Sequence, residues 1–327
     1  MPVLTVVVAP TAKRCYDNHV PAANVHCHAK INLGLLIGPR LPDGYHELRT
    51  IFQTIGLHDE LGLEVSGRAA APAVEMVCDI PELATADNLA ARAARTILDE
   101  LRMRRSVRLT LKKAIPPGAG LGGGSSNAAA VLRSLPALLG KRLRLGRLME
   151  LGAQLGADVP FFLIGGRALG LGRGNEVYPL PQPPAATVLL VHPGLHISTA
   201  DAYRRLDNAR DAAAAPGPAL TTDSLGPMIS YCCGGTLRGS MDRLRNDFEP
   251  VVFSAYPELA RLQRVLIRAG ASPALLSGSG SAMFGIFDSG RAAGVAASEI
   301  RRRWPQWRMW MTRTVSRRRL AASLSGT

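Results

Sequence analysis

A glycine-rich loop between a predicted strand and a predicted helix is the strongest constraint on the fold of this chain. Residues 116–124 read Pro-Pro-Gly-Ala-Gly-Leu-Gly-Gly-Gly, and Ser-Ser-Asn follows at 125–127. Before the loop, apolar and polar residues alternate over 106–113, which predicts a half-buried strand. After it, an Ala- and Leu-rich run from Ala128 predicts a helix. The chain is therefore organised around a unit of strand, glycine loop and helix.

A loop of this kind is suited to binding phosphate. Glycine tolerates positive φ and has no Cβ to keep a ligand away from the backbone amides. Those amides and the positive end of the following helix dipole attract an anion. The hydroxyls of Ser125 and Ser126 would then touch a phosphate oxygen or a bound Mg²⁺. A flexible linker is the alternative, but the strand and the capped helix on either side favour a phosphate site.

The spacing distinguishes this loop from the common phosphate loops. Gly118, Gly120 and Gly123 spell G-x-G-x-x-G, but residues 101–149 contain no Asp or Glu, so the acidic ribose ligand of a Rossmann site is missing. A Walker A loop would end in Gly-Lys-Ser/Thr, whereas this one ends in Gly-Ser-Ser. The His-Arg-Asp and Asp-Phe-Gly motifs of protein kinases do not follow downstream.

Length and composition set broad limits. With 327 residues the chain exceeds one ordinary hydrophobic core, so two domains are expected. Hydrophobic residues make up 47% and charged residues 20%, as in globular proteins. The net charge of +14 is compatible with nucleic acid, an acidic membrane surface or small anionic substrates. The positive charge is mostly arginine spread along the chain, which favours a compositional habit over a binding stripe.

Cysteine usage and hydropathy narrow the setting. The five cysteines are odd in number and show no C-x-x-C spacing, so neither a disulfide framework nor a zinc site is expected. No stretch approaches the roughly 18 apolar residues of a membrane span. We expect a cytoplasmic protein that does not bind membranes and is a monomer or a weak homodimer.

Two segments near the N-terminus carry polar residues in a defined pattern. The alternation over 29–35 places Lys30 and Asn32 on one face of a strand. A Pro-Asp-Gly turn then precedes Tyr45 and His46. A Tyr–His pair beside a loop can stack on a nucleobase and hydrogen-bond to its edge. Taken alone, the two segments would more simply be an amphipathic strand and a packed aromatic pair.

Together with the glycine loop, these segments resemble the GHMP kinases, the family of galactokinase, homoserine kinase and mevalonate kinase. The loop is similar to the family's second motif, P-x-x-x-G-L-G-S/G-S-S. The segments A-K-I-N-L-G-L at 29–35, D-G-Y-H-E-L at 43–48 and I-F-Q-T-I at 51–55 resemble the branch that phosphorylates a CDP-linked methylerythritol. G-A-D-V-P-F-F at 156–162 resembles the catalytic-aspartate segment, and L-S-G-S-G-S-A-M-F at 276–284 the third motif.

The resemblance implies an α+β fold of two domains. Residues 1–180 would form the ATP-binding and catalytic domain, with the fold of ribosomal protein S5 domain 2. Residues 181–327 would form a ferredoxin-like domain that binds the substrate. The proline-rich stretch at 179–184 is a stiff break, which is why we place the boundary there.

The resemblance also implies the reaction. It would be phosphorylation of the 2-hydroxyl of a CDP-linked methylerythritol by ATP and Mg²⁺, by direct in-line transfer, in the non-mevalonate route to isoprenoids. Phosphoryl transfer to a hydroxyl needs a group that orients the nucleophile and accepts its proton, usually a carboxylate. By the matching, Asp158 is this base or orienter, and Lys30 is its partner and keeps it ionised. Considered alone, Asp158 would more simply be a helix N-cap.

The same matching assigns the other site residues. ATP would be bound by the loop and the lysine before it, namely Lys113, Pro116, Pro117, Gly118, Ala119, Gly120, Leu121, Gly122, Gly123, Gly124, Ser125 and Ser126. The substrate would be bound by Asn32, Tyr45, His46, Tyr203, Gly278, Ser279 and Gly280. The metal ligand is left open, with Ser125 and Ser126 as the two candidates.

Two other functions stay open at this point. A GHMP kinase for another acceptor, of the homoserine or phosphomevalonate type, is the nearer one, although Tyr45, His46 and Tyr203 would then have no base to stack on. The C-terminal run 301–319 interleaves arginine with three tryptophans, a combination that can bind single-stranded nucleic acid. Against that function, residues 310–315 fall where the family has its last strand.

Overall fold

The fold consists of two sheets, each covered on one side by helices. The computed structural model describes residues 21–41, 44–212, 226, 228, 230 and 244–320. The first sheet contains β1 (Ala22–Arg40), β2 (His46–Arg68), β3 (Ala73–Cys78), β4 (Arg105–Lys112), β5 (Arg167–Leu171) and β6 (Glu176–Pro179). The second contains β7 (Thr187–His192), β8 (Ala274–Leu276), β9 (Met283–Phe287) and β10 (Arg308–Arg313).

The helices lie between and after these strands. Four follow the early strands: α1 (Leu89–Glu100), α2 (Gly123–Leu138), α3 (Leu145–Leu155) and α4 (Val159–Ile164). In the described ranges 187–212 and 244–320, the second sheet is accompanied by α5 (Thr199–Ala212), α6 (Glu249–Ala255), α7 (Pro257–Arg268) and α8 (Gly290–Arg303). The predicted strand, glycine loop and helix correspond to β4, the loop and α2, but the helix begins at Gly123, before the predicted start at Ala128.

The long hairpin of β1 and β2 is the backbone of the first sheet. These strands pair antiparallel from Ala22 opposite Glu64 to Arg40 opposite His46. One half of β2 also pairs with β4 and the other half with β5, so the strand order is β3-β4-β2-β5-β6, with β1 beside β2. The second sheet has the order β10-β7-β9-β8 and is antiparallel throughout.

Apolar side chains form a core on each side of both sheets. Leu109 and Leu132 belong to the core between the first sheet and α1–α4. Leu262 belongs to the core between the second sheet and α5–α8. Ile31 and Phe284 belong to a third core, between the two sheets. Because the sheets share this third core, residues from both halves of the chain can contribute to one site.

The tryptophans of the C-terminal run are used in packing. Trp307 is only 9% exposed, and its ring stacks on that of Trp304 with centroids 4.4 Å apart. Trp310 lies in β10, the predicted last strand, with the guanidinium of Arg308 above its ring at 4.9 Å. The observation that favoured a nucleic-acid-binding function is therefore explained by the fold. Among the described residues, no helix is long and apolar enough to cross a membrane.

Candidate active site

The glycine loop between β4 and α2 needs its glycines for conformation and for contact. Gly118, Gly120 and Gly122 have φ values of 66°, 78° and 70°, which favour glycine. A Cβ at Gly120 would lie 2.0 Å from the carbonyl oxygen of Ser277, and one at Gly122 would lie 2.7 Å from the ring of Phe162. The loop leads into the first turn of α2, whose amides have no partner within the helix. Loop and helix end together therefore form an anion site.

Members of the predicted ATP-binding set differ in exposure. Pro116, Ala119 and Leu121 are buried, whereas Pro117, Gly118 and Gly124 are exposed. Ser126 is 5% exposed and lines a small cavity against β1. Ser125 is half-buried at the start of α2. The solvent-facing members and Ser125 are therefore those placed to meet a nucleotide.

The third motif packs against the glycine loop, as the resemblance implies. The Ser277 hydroxyl donates to the carbonyl oxygen of Gly120 at 3.0 Å, and the Ala282 amide donates to that of Ala119 at 3.2 Å. Asn246, from the segment before α6, donates its side-chain amide to two carbonyl oxygens of the motif, at 2.9 and 2.7 Å. The second half of the chain thus supports the loop of the first.

The three residues of the third motif that were predicted to bind substrate lie in different places. A Cβ at Gly278 would be 3.5 Å from the Lys30 ammonium, so Gly278 lies beside the predicted catalytic lysine. The Ser279 hydroxyl forms a hydrogen bond with that of Thr199 at 2.9 Å, at the start of α5. Gly280 lies in the tight turn that leads from these two residues to β9, and its φ is 93°. Gly278 is therefore the member closest to the predicted chemistry.

The two predicted catalytic residues come together in the fold. Lys30 Nζ on β1 lies 3.5 Å from Asp158 Oδ2, immediately before α4. The Lys30 side chain is 4% exposed and the Asp158 side chain 33% exposed. Asp158 occupies the N-cap position of α4, but its side chain accepts no capping hydrogen bond. The carboxylate therefore faces Lys30 and the solvent, where an alcohol can reach it.

Asn32 orients Lys30. The ammonium of Lys30 donates to Asn32 Oδ1 at 2.7 Å. The amide of Asn32 donates to the hydroxyl of Thr50 at 2.8 Å, and that hydroxyl donates to the Gly34 carbonyl oxygen at 2.7 Å. Asn32 is 2% exposed. Its contact with the substrate stays a prediction, whereas the contacts described here fix the position of the lysine.

Lys113 lies against the glycine loop but is paired inside the protein. Its ammonium donates to the carboxylate of Asp59, which is fully buried, and the Lys113 side chain is 5% exposed. A Cβ at Gly123 would lie 3.0 Å from the ammonium nitrogen. The lysine predicted on the nucleotide side is thus held in place by a carboxylate that the sequence interpretation did not single out.

An open cavity of about 630 Å³ lies between the start of β2 and α5. It is lined by Arg40, Gly44, Tyr45, His46, Leu48, Arg173, Thr199, Ala200, Tyr203, Arg204, Asp207, Asn208 and Asp211. All three residues predicted to hold a base are among them. The cavity is assembled from three separate parts of the chain, and the Pro42 and Asp43 of the preceding turn lie outside the described residues.

Aromatic rings form one wall of this cavity. The rings of His46 and Tyr203 stack with centroids 4.9 Å apart and planes 18° apart. The Tyr203 ring also packs edge-on against Phe248, with centroids again 4.9 Å apart. Tyr45 is 57% exposed, and the guanidinium of Arg173 lies 4.1 Å from the centre of its ring. These flat surfaces suit a planar heterocycle.

Carboxylates polarise the aromatic wall. Asp207 Oδ1 lies 2.8 Å from Nε2 of His46, so this nitrogen carries the donated proton. Burial raises the pKa of Tyr203 to about 12, and the carboxylates of Asp158 and Asp207 act in the same direction. The third motif links this cavity to the predicted catalytic pair, because Ser279 bonds to Thr199 of the cavity lining and the neighbouring Gly278 lies beside Lys30.

Sequence reasoning missed Asp59, Arg173 and Asp207. Asp59 had a signal: it falls in the apolar phase of the alternation in β2, with Leu57 and Leu61 two residues to either side. Asp207 follows Tyr203 by four residues, which places both on one face of α5. No pattern in the sequence marks Arg173, because its position depends on how the turn between β5 and β6 packs over Tyr45.

Comparison with known proteins identifies the family. The family model for the GHMP kinases N terminal domain matches residues 88–166, and the model for the GHMP kinases C terminal matches residues 228–306. A curated relative from Solibacter usitatus is 48% identical over 266 residues, which are 81% of this chain and 81% of the relative. The chain belongs to the GHMP kinases. It is an enzyme of the kinase class, and ATP is its phosphoryl donor.

The relatives locate the chain within the GHMP kinases. The Solibacter protein is named 4-diphosphocytidyl-2-C-methyl-D-erythritol kinase, and so is a Citrifermentans bemidjiense protein that is 40% identical, over 83% of this chain and 92% of its own length. The solved structure of a 4-(cytidine 5'-diphospho)-2C-methyl-D-erythritol kinase matches with a TM-score of 0.71 and 34% identity, over 89% of this chain and 99% of that chain.

More distant members share the fold alone. The structure of homoserine kinase from Cytophaga hutchinsonii also matches with a TM-score of 0.71, over 94% of this chain and 98% of that chain, but at 18% identity. The predicted α+β GHMP kinase fold is confirmed.

Proposed function

We propose that this chain transfers the γ-phosphoryl group of ATP to the 2-hydroxyl of 4-diphosphocytidyl-2-C-methyl-D-erythritol, a step of non-mevalonate isoprenoid synthesis. The observation that carries the proposal is one cavity that holds Tyr45, His46 and Tyr203 and that the third motif connects to Lys30, the partner of Asp158. An aromatic wall next to a catalytic carboxylate suits an alcohol that carries a nucleobase. The names of the relatives at 34% to 48% identity support the same substrate.

The catalytic pair would act on the acceptor alcohol. Asp158 orients the 2-hydroxyl and accepts its proton as the alcohol oxygen bonds to the γ-phosphorus of ATP. The bond from the γ-phosphorus to the bridging oxygen breaks at the same time, and ADP leaves with that oxygen. Lys30, held by Asn32 at 2.7 Å, keeps a positive charge beside the carboxylate and offsets the negative charge on the transferred group.

Mg²⁺ fits the oxygen donors around the loop. Among the described residues, no three His, Cys, Asp or Glu side chains are grouped to hold a metal ion. Mg²⁺ at a nucleotide needs only one or two protein oxygens, because phosphates and water complete its shell. Of the two candidate serines, Ser125 can supply such an oxygen, whereas the Ser126 hydroxyl is buried against β1. When bound there, the ion would neutralise part of the charge of the phosphates.

The remaining parts of the proposal concern organisation. We place the domain boundary at 180/181, since β6 ends the first sheet and β7 begins the second. Residues 1–180 would bind ATP and carry the catalytic pair, and residues 181–327 would close the acceptor pocket. The enzyme would work in the cytoplasm as a monomer or a weak homodimer.

A release assay for ADP tests the substrate. Purified protein with Mg-ATP is given 4-diphosphocytidyl-2-C-methyl-D-erythritol, methylerythritol phosphate or homoserine as the acceptor. We expect turnover with the first compound alone, because only that compound has a base for Tyr45, His46 and Tyr203. Turnover with an acceptor that has no base would keep the kinase activity and refute the proposed substrate.

A further inference from the structure

Asp59 is a buried carboxylate on β2 with a full set of hydrogen-bond donors. It is 0% exposed. Its four donors are the Lys113 ammonium, the Ala114 amide at 2.9 Å, the Ile115 amide at 2.8 Å and the Asn127 side-chain amide at 3.0 Å. The two backbone amides share Oδ1, and the two side chains share Oδ2. Each carboxylate oxygen is therefore used twice.

The donors stand at the two ends of the glycine loop. Residues 113–115 leave β4 and enter the loop, and Asn127 lies in the second turn of α2, just past the loop's last serines. One carboxylate on a neighbouring strand thus binds both the entry and the exit of residues 116–126. The loop between them has several glycines with positive φ and would be mobile without fixed ends.

The charge arrangement shows what this carboxylate does. A buried charge persists when it is paired and its oxygens are saturated with donors, and such a pair contributes more to geometry than to net stability. Asp59 and Lys113 form such a pair, with exposed side-chain fractions of 0% and 5%. The Lys113 ammonium also lies against the loop, since a Cβ at Gly123 would be 3.0 Å from it. Asp59 therefore determines where this cation stands relative to the loop.

We propose that Asp59 is a positioning residue for ATP. It fixes both ends of the phosphate loop and holds the Lys113 ammonium beside Gly123, and it does not itself touch the nucleotide. Removing its charge should loosen the loop and let the ammonium leave, which weakens ATP binding and leaves the acceptor cavity intact. The inference rests on ATP lying in the loop, as the proposed function has it, and it does not depend on which acceptor is used.

Two variants remove the charge in different ways. Asp59→Asn keeps the shape of the side chain, but its amide nitrogen then faces groups that donate to the carboxylate in the wild type. It also leaves the Lys113 ammonium without its partner. Asp59→Asn combined with Lys113→Met removes both charges, so no unpaired ammonium stays buried. Asp79→Asn is the matched control, because the Asp79 carboxylate accepts from the Lys113 backbone amide at 3.0 and 3.1 Å but is exposed.

The measurement is ATP binding by calorimetry without any acceptor, together with the thermal unfolding midpoint and both Michaelis constants. We expect both Asp59 variants to bind ATP about tenfold more weakly, or weaker still, with the acceptor KM changed by less than about twofold. The control variant should match the wild type in every reading. A purely structural role would lower the unfolding midpoint and raise both Michaelis constants together.

Wild-type ATP affinity in the folded double variant would overturn the proposal, and so would a parallel rise of both constants. If neither Asp59 variant folds, Asn127→Ala is the test, because it removes one donor to Asp59 and leaves the ion pair with Lys113 in place. Unchanged ATP affinity in that variant would count against the proposal. A wild-type protein that binds ATP but does not phosphorylate the CDP-linked alcohol would refute the proposed substrate alone, since the binding titration needs no acceptor.

Discussion

The nucleotide end and the acceptor end of the site are built in different ways. The nucleotide end is one continuous stretch, 116–126, whose two ends are held by buried hydrogen bonds to Asp59. The acceptor end is a cavity of about 630 Å³ whose walls come from β2, the turn after β5, and α5. The first is covered by the third motif, whose Ser277 hydroxyl donates to the Gly120 carbonyl oxygen, whereas the second is open and lined by side chains.

This difference indicates where specificity can vary. A loop that binds phosphate through backbone amides depends on glycine conformation, so it serves any member of the family that uses ATP. A cavity lined by side chains from three places in the chain can change one side chain at a time. Variants should therefore separate the two ends by their Michaelis constants. Asp158 stands at their junction, because its partner Lys30 lies beside Gly122 of the loop and Gly278 of the third motif.

The largest effect is expected at the junction of the two ends. Asp158→Asn removes the group that orients the alcohol and accepts its proton, so kcat should fall by about a thousandfold. ATP affinity should stay close to that of the wild type, because the loop is untouched. Turnover and ATP titration on the same preparation check this. A variant that retains turnover within about tenfold of the wild type would show that Asp158 has another role.

The acceptor end should respond next. Tyr203→Ala removes the ring that stacks on His46 and that we propose to stack on the base of the acceptor. Because stacking on a base is worth about 1–3 kcal/mol, the acceptor KM should rise about ten- to hundredfold. The KM for ATP should not change. Tyr203→Phe keeps the ring and is the matched control. If the alanine variant raises the KM for ATP instead, the two ends are not separate.

A smaller effect is expected from Asp207, the carboxylate that binds His46 of the aromatic wall. Asp207→Asn takes away the carboxylate that accepts from Nε2 of His46, so the ring can adopt either tautomer. We expect the acceptor KM to rise by less than about tenfold. Asp201→Asn is the control on the same helix, since its carboxylate pairs with exposed arginines. Equal behaviour of the two variants would argue against a role for the His46–Asp207 pair.

The smallest effect on turnover is expected from Glu249, a half-buried carboxylate in the part of the chain that supports the third motif. Glu249 accepts from the Leu276 amide at 2.8 Å, and burial raises its pKa from 4.5 to about 7. The folded state then binds more protons than the unfolded state between these values, so stability falls as pH rises through that window. The loss from this group is at most about 3 kcal/mol.

Urea unfolding of the wild type and of Glu249→Gln at about pH 5 and about pH 8 measures this loss. The glutamine variant does not titrate here, so its stability should change less between the two values than that of the wild type. An equal loss of stability between the two pH values in both proteins would show that Glu249 is not the group responsible. The result would also sharpen the contrast with Asp59, whose charge is matched by the Lys113 ammonium.

The fold and the proximity of Lys30 and Asp158 could be predicted because their signals are local. These signals are short patterns, namely the unit of strand, glycine loop and helix and the segments around Lys30 and Asp158. Each can be recognised without knowing the tertiary fold. Arg173 and Asp207 could not be predicted as members of the acceptor cavity, because their neighbours there lie far away in sequence. Asp59 is intermediate: an acid in the apolar phase of a strand predicts a buried carboxylate, but its donors depend on the tertiary fold.

The contact between Gly120 and Ser277 also bears on how the protein is made. The Ser277 hydroxyl donates to a carbonyl oxygen 157 residues earlier in the chain, and the Ala282 amide does the same for Ala119. During synthesis the first sheet and the glycine loop leave the ribosome long before these partners do. A nascent chain that ends before residue 277 has its phosphate loop without this support. With ATP bound in this loop as proposed, we expect full affinity only after residues 277–282 have been synthesised and have folded onto the loop.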